Sequence, residues 1–179
     1  MEWILIGVAV VVVLGIGWAV VRNVRRGRAL REQFGPEYTR VLAEQGDREI
    51  AELELEQRRR RRMALEIRPL DTELRARYAR RLEELRAEFD ARPAEAVAEV
   101  DSLVVVIMQA LGYPAESFRQ SVADISVDHP DAAQEYRAAR ALATWDGPGD
   151  PSAEQLRTAF THYDALVREL LTGPAADGA

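Results

Sequence analysis

The chain has 179 residues, a formal net charge of -6, and 47% hydrophobic against 30% charged residues, which suits one ordinary domain with room for accessories. All 24 basic residues are arginine and cysteine is absent. There is therefore no lysine for a P-loop, a Schiff base or a PLP anchor, and no thiol for nucleophilic catalysis, disulfides or cysteine-ligated zinc or iron–sulfur sites.

Residues 3–21 read WILIGVAVVVVLGIGWAVV, without a charge. As a helix this run spans roughly 28 Å, close to the hydrocarbon thickness of a bilayer. Trp3 and Trp18 lie near its ends, where indole rings favour the membrane interface. A cleaved signal peptide would need a positive flank, a shorter apolar core and a small-x-small site. Here Glu2 is the only side-chain charge before the run, and Arg22 follows it directly. The expectation is a retained single-pass anchor. Arg22, Arg25, Arg26 and Arg28 all follow the run and none precedes it, so the positive-inside rule puts the N-terminus out and the C-terminal domain in the cytoplasm. The same arginines can meet anionic lipid headgroups, at about 1 kcal/mol each.

Residues 27–35 read as a basic connector, and Gly35 with Pro36 as a break that opens a helix carrying Tyr38, Val41 and Leu42. Gly46 and Asp47 interrupt it. In residues 47–67 the acids come first and Arg58, Arg59, Arg60, Arg61 and Arg62 follow. That layout suits the helix dipole and i,i+4 pairing and predicts a solvated, charged helical stalk. A nucleic-acid or anionic-lipid reading of the five arginines is weaker, because no aromatic stacking partner lies nearby and acids adjoin the run. Nucleic acid is not an expected partner.

After Pro69, Asp71 is placed as an N-cap, and Leu74, Tyr78, Leu82, Leu85 and Phe89 recur at helical spacing. Pro93 opens a helix whose stripe is Val97, Val100, Val104, Ile107, Met108 and Leu111, closed by Gly112. A short helix follows with Phe118, Val122 and Ile125. Then comes the turn of Ser126, Val127, Asp128, His129 and Pro130, and a helix with Ala133, Tyr136, Ala139, Ala143 and Trp145. Ser152 and Gln155 have capping-box spacing before a last helix with Leu156, Phe160, Tyr163, Val167, Leu170 and Leu171. The predicted fold is all-α: a single N-terminal transmembrane helix with its basic flank at 1–27, charged juxtamembrane helices at 28–68, a bundle of about five helices at 69–172 and a disordered tail at 173–179.

The chain has two histidines. His129 stands beside Asp128 and Asp131, so a hydrolytic reading makes it a general base oriented by one of those carboxylates. A turn histidine with Asp128 capping the next helix is the plainer reading. No HExxH, EF-hand, GxGxxG or GxSxG pattern occurs, so no metal or cofactor is expected. Tyr113, Pro114, Asp128, His129 and Pro130 are the most distinctive turn residues and form a candidate partner surface.

Phe34, Gly35, Pro36, Glu37 and Tyr38, with Arg68, Pro69 and Leu70, Gly112, Tyr113 and Pro114, and Ser126 to Pro130, together resemble a family of short bacterial helical proteins, stand-alone or membrane-anchored, to which no activity is attached. The resemblance implies a domain extent of about 34–171 and carries no catalytic residue. The expected role is a membrane-tethered, non-catalytic interaction or scaffold module. Membrane lipid is one partner; a second copy or another protein is the other.

Overall fold

The computed structural model describes residues 2–144 and 149–172; within the first helix, the side chains of residues 2, 4–13, 16, 19 and 20 lie outside the described set. Among the described residues the chain is all-α, with helices α1 (Glu2–Phe34), α2 (Pro36–Gln45), α3 (Arg48–Met63), α4 (Thr72–Glu88), α5 (Pro93–Leu111), α6 (Phe118–Ile125), α7 (Pro130–Ala143) and α8 (Ala153–Thr172). The helices α4 to α8 are the five-helix bundle that the apolar periodicities predict. Trp145 and the expected tail at 173–179 lie outside the described residues. Among those described, no helix is long and apolar enough to cross a membrane, and the expected span at residues 3–21 falls mostly on side chains outside the described set.

The chain divides into two compact units, Met1–Glu56 and Gln57–Ala179. In the first, the expected connector at 27–35 is corrected: α1 runs through Gly27 to Phe34. The residues after Gly27 are mostly good helix formers, which outweigh the cost of one glycine, about 1 kcal/mol. Gly27 has a packing reason as well. A Cβ there would collide with the side chains of Arg48 and Glu52. Glu52 accepts from Arg48 Nε at 2.7 Å and from the Tyr38 hydroxyl at 3.0 Å. Gly46 closes α2 in the left-handed conformation, and Asp47 Oδ1 accepts from the Glu49 and Ile50 N–H groups at the start of α3.

The solvated stalk is corrected too. In the first unit α3 buries Ala51 and Leu55, alongside buried Leu30, Phe34, Tyr38 and Val41. The arginine run from Arg58 onward belongs to the second unit.

That unit has one hydrophobic core. The stripes of α5 and α8 supply Val100, Val104, Ile107, Leu166, Val167 and Leu170, each fully buried. Buried aliphatic side chains of this size contribute roughly 1.5–3 kcal/mol each by leaving water. Aromatic pairs add directed contacts: Phe89–Phe160 centroids lie 5.1 Å apart and Phe118–Tyr136 meet edge-on at 4.9 Å. The helix ends follow their sequence signals. Asp71 Oδ1 accepts from Leu74 N–H at 2.7 Å. Ser152 and Gln155 form a reciprocal capping box, and Pro93 and Pro130 occupy first-turn positions.

Candidate functional site

Among its described side chains, α1 carries large apolar groups in the open. Trp3 is 86% exposed, and Leu14, Trp18, Val21 and Val24 all exceed half. At the end of this stretch the Arg22 guanidinium lies 5.2 Å from the Trp18 ring centroid, one helical turn on, a cation–π geometry. Arg25 and Arg26, like Arg22, are exposed.

In the bundle, the two distinctive turns meet. α5 ends on Gly112 at φ 98°, and the Tyr113 N–H donates to Met108 O at 2.9 Å. This turns the Tyr113 side chain inward, to 2% exposure. The N–H groups of Asp128 and His129 both donate to the Ile125 carbonyl, at 3.2 and 2.8 Å, and the tight turn presents the Asp128 carboxylate to Tyr113. The Tyr113 hydroxyl donates to Asp128 Oδ2 at 2.6 Å, and Arg62 Nε donates to the same oxygen. Burial, then the hydrogen bond to Asp128, pushes the Tyr113 phenol far above its ordinary range. Arg61 Nε donates to Asp124 Oδ1 at 3.0 Å while Arg61 Nη2 reaches Glu116 at 3.2 Å. The last two arginines of the run thus tie the end of α3 to the acids of α6 and the turns on either side of it.

Three expectations are corrected here. Asp128 does not cap α7: His129 holds the N-cap position with no side-chain capping bond, because the Asp128 carboxylate is drawn to Arg62 and Tyr113. The dyad of His129 with Asp128 or Asp131 is not formed. His129 Nδ1 instead lies 3.4 Å from Glu169 Oε1 on α8, and Asp131 accepts from Gln134 at 3.3 Å. The candidate partner surface is also not an open patch. Tyr113 and His129 are buried, and Pro114, Asp128 and Pro130 are half-buried. Turn chemistry brought distinctive residues together, but to join helices.

A second polar cluster was missed in the sequence. Asp101 interrupts the apolar stripe of α5, and it accepts from Arg140 Nη1 of α7 at 2.6 Å and from the Tyr163 hydroxyl of α8 at 2.9 Å. Arg140 also lies 5.2 Å from the Phe118 ring centroid. Burial, with the Asp101 charge next, pushes the Tyr136 phenol up to about 12. The available signal was a lone acid inside a stripe of valines, which a buried core tolerates only with partners.

Asp124 makes a testable case for pH. Its side chain is wholly buried, and Oδ2 has no hydrogen-bond partner among the described residues. Burial raises its pKa above the ordinary 3.8, against the opposing pull of Gln120 and Arg61. The folded state therefore holds the proton more tightly than the unfolded state. The folded-state penalty is absent at low pH and is complete once pH passes the raised value. Asp124→Asn is expected to gain stability relative to the parent as pH rises from about 4 to about 7, read from urea midpoints. A difference that stays flat, or falls, over that range contradicts the burial argument.

Among the described residues no group of three or more His, Asp or Glu side chains is placed to hold a metal ion. No protein-family model matches the chain, no curated protein matches it, and no solved structure matches it.

Proposed function

We propose that this chain is a single-pass, membrane-tethered and non-catalytic interaction module, its N-terminus outside and its helical units at the cytoplasmic face. The observation that carries the reading is the exposed apolar surface of α1. Trp3, Leu14, Trp18, Val21 and Val24 stand open on one helix, within and just after an uncharged run of bilayer length. Large apolar side chains exposed in this way gain from cover, and lipid supplies it at no desolvation cost. The Trp18–Arg22 pair suits the headgroup level, where an indole and a guanidinium both find partners. Arginines on one side of the run only support the inward orientation. The non-catalytic part draws on the buried state of His129 and on the other engagements of Asp128 and Asp131.

Membrane fractionation tests the tether. The full chain is expected to remain in the membrane pellet through an alkaline carbonate wash, and a chain lacking residues 1–27 is expected in the supernatant. Full-length chain released by the wash overturns the anchor. For orientation, protease added outside intact cells should leave the bundle uncut; its digestion reverses the topology. Crosslinking in intact membranes addresses the interaction role: a chain that stays monomeric and captures no partner removes it.

A further inference from the structure

Two faces of α1 differ along its length. Gly27, Leu30 and Phe34, at i, i+3 and i+7, are buried. Leu14, Trp18, Val21, Arg25 and Arg28 recur at i, i+4, i+7, i+11 and i+14, so they share another stripe, and all five are exposed. On that stripe the chemistry changes within one turn. Arg25 stands about 6 Å along the axis beyond Val21, and Arg26 about 7.5 Å. The headgroup layer of one leaflet is roughly 5–8 Å deep. With the end of the apolar run at the edge of the hydrocarbon, Arg22, Arg25 and Arg26 all fall inside that layer. The helix does not break there but continues to Phe34, so it fixes the spacing of the three guanidinium groups.

The same three arginines stand apart from those that follow. Arg28 has Glu32 Oε1 at 3.4 Å, and Arg31 lies 5.0 Å from the Tyr38 ring centroid. Arg48 donates to Glu52 at 2.7 Å. Arg22 meets the Trp18 ring, and neither Arg25 nor Arg26 has an ion pair among the described residues. Arg22 faces Arg25 and Arg26 at i,i+3 and i,i+4, where like charges destabilise a helix. The i+4 positions of Arg22, Arg25 and Arg26 are Arg26, Ala29 and Leu30, so the helix offers them no acid, as it offers Glu32 to Arg28. Positive-inside topology needs these charges while the chain inserts; it does not supply an anion afterwards. Lipid phosphates do, and a guanidinium takes phosphate oxygens two at a time.

We infer that Arg22, Arg25 and Arg26 form a phosphate clamp for anionic phospholipid, so that the tether selects its lipid as well as crossing the bilayer. The inference rests on the membrane reading of α1 and adds the chemical class of its lipid partner. Phosphatidylcholine is a poor occupant, because its own choline cation neutralises the phosphate. Phosphatidylglycerol leaves that charge open to the arginines.

The test places the full chain in nanodiscs of equal phosphatidylglycerol and phosphatidylcholine, and native mass spectrometry counts the lipids that stay bound to it. Phosphatidylglycerol is expected to outnumber phosphatidylcholine at least about fivefold, the factor for a single arginine at an anionic surface. Arg25→Gln combined with Arg26→Gln should bring the ratio to parity. Arg28→Gln combined with Arg31→Gln removes the same charge about one turn on, from guanidinium groups that already have partners, and should keep most of the preference. Parity in the parent chain, or equal losses in the two double variants, overturns the clamp, and a chain that still resists the carbonate wash then keeps the tether. A parent chain released by that wash overturns both.

Discussion

Gly112→Ala is expected to destabilise the bundle by about 3–5 kcal/mol, a drop of roughly 10–20 °C in melting temperature. Two costs combine. Gly112 has φ 98°, where an L-residue pays about 1–2 kcal/mol. A Cβ there would also sit on the backbone carbonyl oxygen of Glu66. That oxygen belongs to a segment held against the end of α5, because the Arg68 N–H donates to the Leu111 carbonyl at 2.9 Å. The neighbour is backbone, so it cannot swing aside as a long side chain would. Gly149→Ala is the control in the same unit. It has φ 84° and, among the described residues, nothing within 4 Å of the added Cβ, so it should cost only the conformational part. Thermal unfolding of both variants separates the two costs. Equal losses would show that the approach of Glu66 to Gly112 does not constrain the chain.

Asp128→Ala is the second large effect, with an expected loss of about 2–4 kcal/mol. The substitution strands two groups at once: the Tyr113 hydroxyl, in a residue only 2% exposed, and the Arg62 guanidinium, whose side chain is 21% exposed. Removing one partner of a largely buried pair costs more than the pair contributes, because the remaining group has lost its water as well. The partial exposure of Arg62 keeps the figure below the fully buried limit. Tyr113→Phe removes only the hydroxyl and should cost about 1 kcal/mol. A double-mutant cycle with Arg62→Ala should return a coupling of at least about 1 kcal/mol. If Asp128→Ala stays within about 0.5 kcal/mol of the parent, it behaves as a surface site, and the turn of Asp128 and His129 does not join the arginine run to the bundle.

These two residues also mark the boundary between what the sequence alone determined and what only the tertiary structure decided. Helix identity and ends were legible wherever the cause is local. The stripe from Val97 to Leu111, the Asp71 cap, the box of Ser152 and Gln155, the first-turn prolines and the Gly112 stop are all written within one or two turns of chain. Each was found where the spacing put it. Gly27 was misread for a related reason. A glycine weakens a helix by propensity, but the helix formers after it carry α1 through, and only the packing of Arg48 and Glu52 over it shows why a glycine stands there.

Polar partners were not legible, because they depend on which helix faces meet. Arg61 and Arg62 looked like part of a solvated run until Asp124 and Asp128, more than 60 positions away, came opposite them. His129 seemed paired with its sequence neighbours, yet the near carboxylate is Glu169 on α8. Asp101, Arg140 and Tyr163 carry no motif and become a cluster only through the packing of α5, α7 and α8. Periodicity is a property of one helix and survives in the sequence. A charge pair or a cavity is a property of several helices at once, and exists only after the core has set their faces together.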